Sequence, residues 1–131
     1  MLVDDDPLVR ELVCEQLRSA GYNVTVCARG HAAIERLDSG LPFDLLLTDF
    51  AMPEMNGVTL AREAHKRRPR LPVVVLTGYA SEAADAASDV DITLLRKPID
   101  RDALIGRVSA LISASRPRSA PIDRTERCVK T

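Results

Sequence analysis

The sequence has no tryptophan and only two tyrosines and two phenylalanines in 131 residues. Its core must therefore be aliphatic, and it offers no basic surface interleaved with aromatics on which nucleic-acid bases could stack. The three cysteines, Cys14, Cys27 and Cys128, are odd in number and show no C-x-x-C spacing. That argues against a disulfide framework or a zinc site and favours free thiols in a reducing compartment. Neither sign of charge dominates: 18 basic and 19 acidic residues leave a net −1. Bulk attraction to nucleic acid or to an anionic membrane is thus not expected. The apolar runs fall far short of the roughly 20 residues that a membrane-spanning helix needs. The opening MLVDDD has no basic region and does not read as a secretory signal. A cytoplasmic domain is the expectation.

What is present is an alternation of apolar runs and amphipathic stretches. Leu2-Val3 is a very short start, followed by three acids and Pro7. Asp6 can cap a helix that Pro7 opens, because a first helical position needs no N–H. Leu12, Val13, Leu17 and Ala20 recur at helical spacing, and Gly21 stops the helix. Residues 23–28 are rich in β-formers; Ala33, Ile34 and Leu37 mark a short helix that Gly40 ends. The run at 45–48 is continuously apolar, as in a strand buried on both faces, and FAMPEMNG after it reads as a loop. A third helix carries Leu60, Ala61 and Ala64, with the cations Lys66, Arg67 and Arg68 at its C-terminal end. The clearest strand is 73–77; an Ala-rich helix at 81–88, a strand at 93–96 and a helix at 100–114 complete the pattern. Leu104, Val108, Leu111 and Ile112 share one face of that last helix. His31 and His65 fall on surface patterns and are expected to be solvated.

Five strands alternating with five helices predict an α/β fold, a doubly wound parallel sheet covered on both faces. The character changes near Arg116: residues 116–131 hold five basic and two acidic residues, a net +3. One domain over 1–115 and a disordered basic tail over 116–131 follow. Nothing after Ile112 is long enough for a DNA-binding domain.

In such a sheet ligands sit beyond the C-terminal strand ends. Those ends carry Asp4, Asp5 and Asp6, then Asp49, Thr77 and Lys97. Any one Asp at a strand end is most often a turn former or helix cap. Four strands delivering carboxylates, a hydroxyl and an ammonium to one edge are harder to assign to chance. Clustered carboxylates raise one another's pKa unless a cation neutralises them. An all-oxygen site with few protein ligands suits Mg²⁺. Lys97 and Thr77 could then share the oxygens of a phosphoryl group in transfer, and a central aspartate could take it as an acyl phosphate.

VDDD at 3–6, LLLTDFAMPEMNG at 45–57, VVVLTGYA at 73–80 and LLRKP at 94–98 resemble the receiver domain of two-component response regulators. The resemblance runs from Met1 to about Ser113. It implies a flavodoxin-like sheet of order 2-1-3-4-5. Asp49 would be the phosphoacceptor for a phosphohistidine of a sensor histidine kinase or a histidine phosphotransfer protein. Asp5 would bind Mg²⁺ directly and Asp4 mostly through water, with the carbonyl of Ala51 as a further ligand. Lys97 would pair with Asp49 and then with the phosphoryl oxygens, Thr77 would move toward the phosphate, and Lys97-Pro98 would be cis. Asp6 fits a capping acid. The resemblance also implies a protein that catalyses its own phosphorylation and dephosphorylation, not a turnover enzyme, and a possible homodimer.

Departures are instructive. The first strand is clipped, and the 77–97 stretch is slightly short. Leu94 stands where receivers carry Tyr or Phe, removing the aromatic half of the usual switch with Thr77. Ala51 and Tyr79, each two residues past a site residue, are expected to set how easily water reaches the acyl phosphate. The chain could be a stand-alone regulator or the receiver of a hybrid sensor kinase. Two alternatives remain open. A Mg²⁺-dependent phosphohydrolase with Asp49 as nucleophile would need an acid where Ala51 stands. A pseudo-receiver binding partners without phosphorylation would not need the complete set of site residues.

Overall fold

The computed structural model describes residues 1–78, 83–85, 89–98 and 100–115. The apolar runs become β1 (Leu2–Val3), β2 (Val26–Cys27), β3 (Leu46–Asp49), β4 (Val73–Thr77) and β5 (Thr93–Arg96). They form one parallel sheet in the order β2-β1-β3-β4-β5, the topology that the resemblance implies. β1, β3 and β4 are buried throughout, as unalternating apolar sequence requires. β2 covers only two residues of the β-rich 23–28 stretch. It is an edge strand whose sole partner, β1, is itself two residues long and offers Val26 and Cys27 just Leu2 and Val3. Its bonds to the β1 segment run from Leu2 N to Thr25 O at 2.9 Å and from Asp4 N to Cys27 O at 3.2 Å, while on the β3 side Met1 N donates to Leu45 O at 2.7 Å.

Helix α1 (Pro7–Ser19) begins as read, with the Asp6 carboxylate accepting from Leu8 N and Val9 N. Its buried stripe is Val13, Cys14 and Leu17. Leu12 lies one position round the helix and is 57% exposed, so it leaves the stripe in which its spacing put it. Gly21 follows at φ +96°, a left-handed turn for which glycine is suited. Helix α2 (Gly30–Asp38) and helix α3 (Gly57–Arg67) follow β2 and β3. The loop read over 50–57 ends one residue early: Gly57 opens α3, and the Asn56 side chain caps it by accepting from Thr59 N at 2.8 Å. Residues 83–85 are helical and are labelled α4; the rest of the expected 81–88 helix, Tyr79 and the 116–131 tail lie outside the described residues. Helix α5 (Arg101–Ser115) closes the fold, with Asp100 accepting from Ala103 N at 3.2 Å.

Side chains alternate across each strand and feed two cores. On one face Val3, Leu46, Val73 and Val75 meet Ala33 and Leu37 of α2 and Leu60, Ala61 and Ala64 of α3. On the other, Leu2, Leu47, Val74 and Leu76 meet Val13 and Leu17 of α1 and Leu104, Val108 and Ile112 of α5. Each fully buried Leu or Val contributes about 1.5–3 kcal/mol of transfer free energy, which makes up for the missing aromatics. Cys14 and Cys27 are free and buried, as expected. His65 is not solvated: it is half-buried, its Nε2 lying 3.0 Å from Leu71 O where the chain leaves α3.

Candidate functional site

Parallel register brings the strand ends to one edge. Asp49 closes β3 opposite Leu76, and Thr77 closes β4 opposite Arg96, one residue before Lys97. Asp4 follows β1 directly. Carboxylate oxygens of Asp4, Asp5 and Asp49 lie within 4.8 Å of one another. Asp4 and Asp49 are buried, Asp5 is exposed, and Thr77 is buried beside them. Lys97 Nζ donates to Asp49 Oδ1 at 2.5 Å, and Lys97 N donates to Thr77 O at 2.8 Å, tying the β5 exit to the β4 end. The Lys97-Pro98 bond is cis.

Burial pushes the Asp4 carboxyl up to about 6, and the Asp49 and Asp5 charges push the same way. The Asp6 N–H, which donates to Asp4 Oδ1 at 2.9 Å, and the Lys97 ammonium oppose the shift without cancelling it. Three carboxylates with one nearby ammonium are under-neutralised. The donors are all oxygen, and the one exposed member, Asp5, leaves room for water. That chemistry fits a hard divalent cation such as Mg²⁺ better than a softer metal. An open depression of about 290 Å³, lined by Asp5, Ala28, Arg29, Met52, Pro53 and Glu54, lies beside this edge.

The loop after β3 is held by backbone. Phe50 N donates to Leu76 O at 2.8 Å, and Gly57 N to Phe50 O at 2.9 Å. Glu54 takes φ +69°, a left-handed bend between Pro53 and Met55. Gly57 runs so close to Asp49 that a Cβ there would meet Asp49 O at 2.5 Å and Phe50 Cα at 3.1 Å. The Asn-Gly pair signalled a loop in the sequence, but not this approach to the Asp49 backbone. Another unforeseen contact is Arg10 Nη1 donating to Asp4 O at 2.9 Å. Ala51 is exposed just past Asp49. Leu94 pairs with Val75 and packs, half-buried, on the core that α2 and α3 share. Asp6 acts as the helix cap, as read.

Residues 1–109 match the family model described as the response regulator receiver domain. The response regulator receiver protein CpdR of Brucella abortus is 38% identical over 117 residues, covering 88% of this chain and 97% of that protein. The DNA-binding transcriptional regulator NtrC of Klebsiella pneumoniae is 33% identical over 93% of this chain, which spans only 27% of NtrC. A response regulator receiver protein from Sinorhizobium medicae superposes with a TM-score of 0.80 at 32% identity, covering 88% of this chain and 94% of its own. The response regulator TrrA of Thermotoga maritima, solved in complex with Mg(2+)-BeF, gives 0.76 at 31% identity, covering 84% of this chain and 95% of its own. With its sheet order, its clustered aspartates and these likenesses, the chain belongs to the response regulator receiver domain family.

Proposed function

We propose that Asp49 is the phosphoacceptor of this receiver and that Asp4, Asp5 and Asp49, with the carbonyl of Ala51, hold Mg²⁺. The observation that carries the reading is the gathering of three carboxylates within 4.8 Å at a strand edge, with Lys97 on the central one. The TrrA structure, solved with Mg(2+)-BeF, supports it by likeness. When bound, Mg²⁺ supplies the positive charge that lets carboxylates and phosphoryl oxygens share one small volume.

An Asp49 carboxylate oxygen attacks the phosphorus of a phosphohistidine. The P–O bond forms as the P–N bond breaks, and the electron pair leaves with the imidazole nitrogen. Lys97 keeps the Asp49 oxygen oriented beforehand and stabilises phosphoryl charge afterwards. Thr77 donates from its hydroxyl to the transferred group. With Leu94 in place of an aromatic ring, the signal leaves through movement of the Thr77 backbone and side chain without a ring flip. The phosphodonor is a sensor histidine kinase or a histidine phosphotransfer protein, and the reaction belongs to the cytoplasm. Among the described residues no helix is long and apolar enough to cross a membrane.

Incubation with acetyl phosphate and Mg²⁺, read by intact-protein mass spectrometry, tests this. One phosphoryl group is expected, lost in Asp49→Asn and on chelation. Modification mapped to another side chain would overturn the assignment.

A further inference from the structure

Two of the three clustered carboxylates sit on the loop that leaves β1. The last bond from this end of β1 to β2 is Asp4 N to Cys27 O at 3.2 Å. Beyond that bond the chain leaves the sheet. Asp4 is 2% exposed, so its carbonyl needs a donor other than bulk water. Arg10 provides one, its Nη1 reaching back from the second turn of α1 to Asp4 O at 2.9 Å. The carbonyl belongs to the peptide joining Asp4 to Asp5. Its plane sets the direction in which both side chains leave the backbone. The other brace on the loop runs through Asp6, whose N–H holds Asp4 Oδ1 while its own carboxylate caps α1.

Like charges within 4.8 Å repel, and the exposed Asp5 is the member with freedom to swing away. A charged donor on a neutral carbonyl is among the stronger restraints a side chain can offer. We propose that Arg10 is a positioning residue for the cation site: its guanidinium fixes the Asp4–Asp5 peptide so that both carboxylates face Asp49 before an ion arrives. The inference rests on reading Asp4, Asp5 and Asp49 as the Mg²⁺ site. Arg10 acts through the backbone. Without it, part of the binding free energy goes into ordering the loop.

The test is calorimetric titration of Mg²⁺ into the wild-type chain and into Arg10→Ala, Arg10→Lys and Asp5→Asn. Urea unfolding and backbone amide exchange at Asp5 and Asp6 are measured on the same metal-free proteins. Arg10→Ala should weaken Mg²⁺ binding about tenfold, as loss of an outer partner of a metal site commonly does. It should also speed exchange at Asp5 and Asp6. Arg10→Lys, which keeps a cationic donor, should recover most of both, and the loss should persist in high salt. Should Arg10→Ala fold poorly, Arg10→Met keeps the aliphatic stem and removes only the donor.

A lowered urea midpoint with Mg²⁺ affinity within twofold of wild type would overturn the proposal, as would a loss of affinity that high salt abolishes. If the wild-type chain and Asp5→Asn alike fail to bind Mg²⁺, the site reading fails and this inference with it. If the wild-type chain binds, Asp5→Asn does not and Arg10→Ala binds as well as wild type, only the role of Arg10 falls.

Discussion

Lys97 Nζ meets Asp49 Oδ1 at 2.5 Å across 48 residues of sequence. The Asp49 side chain is 8% exposed and that of Lys97 32%, so the pair is only partly screened by water. Lys97→Ala would leave a buried carboxylate beside two others without its ammonium. The metal-free protein should lose about 1–2 kcal/mol in urea unfolding, less than a fully buried pair would cost. Binding of beryllofluoride with Mg²⁺ should weaken at least about tenfold, because charge at the phosphoryl position is lost. Unchanged beryllofluoride affinity would remove Lys97 from its assigned role.

Removing one of the acids should act in the opposite direction. Asp5→Asn relieves repulsion at an exposed position that shares the carboxylate cluster. The metal-free variant should be as stable as the wild type or up to about 1 kcal/mol more stable, since the surface position limits the gain. The rise in melting temperature that saturating Mg²⁺ gives the wild-type chain should vanish. A variant that Mg²⁺ stabilises as fully as the wild type would show that Asp5 is not a ligand.

The Asp4 carboxyl titrates at about 6 in the folded chain against 3.8 ordinarily, chiefly through burial. Between those values the folded state binds more protons than the unfolded state, so stability falls as pH rises through the window. The penalty is absent below about 4 and complete above about 6. Without metal, the urea midpoint of the wild type relative to Asp4→Asn should therefore drop between pH 4 and pH 6.5. Mg²⁺ affinity should climb over the same range, as the proton must leave. A wild-type-minus-variant difference that is flat in pH would contradict the assignment.

Gly57→Ala adds a carbon 2.5 Å from Asp49 O. Inside a helix Ala is favoured over Gly by roughly 1 kcal/mol, but the obstacle here is backbone and cannot rotate away. Net destabilisation of about 1–3 kcal/mol is expected. Labelling of Asp49 by acetyl phosphate should slow at saturating Mg²⁺. Wild-type labelling kinetics would show that the close approach does not set the position of Asp49.

The sheet was readable because β1, β3 and β4 are buried on both faces, and only continuous aliphatic runs satisfy that. The strand-end acids, Thr77 and Lys97 were readable because register carries them to one edge whatever the side-chain details. Leu12 was misread because its neighbours Val13, Cys14 and Leu17 form the stripe, and a one-position rotation is hard to fix from four apolar residues. β2 shrank because an edge strand takes its length from its partner, which local propensity does not report. Asn56 as a cap, Gly57 against Asp49 and Arg10 on Asp4 O all depend on where a distant backbone runs, and no local pattern encodes that.

The meeting of β1 and β3 at the acidic edge has a mechanical consequence. β1 pairs with β3 through Leu2 and Val3, and a cation held by Asp4, Asp5 and Asp49 would clasp the ends of both strands together. The ion would then be a rivet in the middle of the sheet as well as a chemical aid, and filling or emptying the hollow would stiffen or loosen the molecule along its central seam.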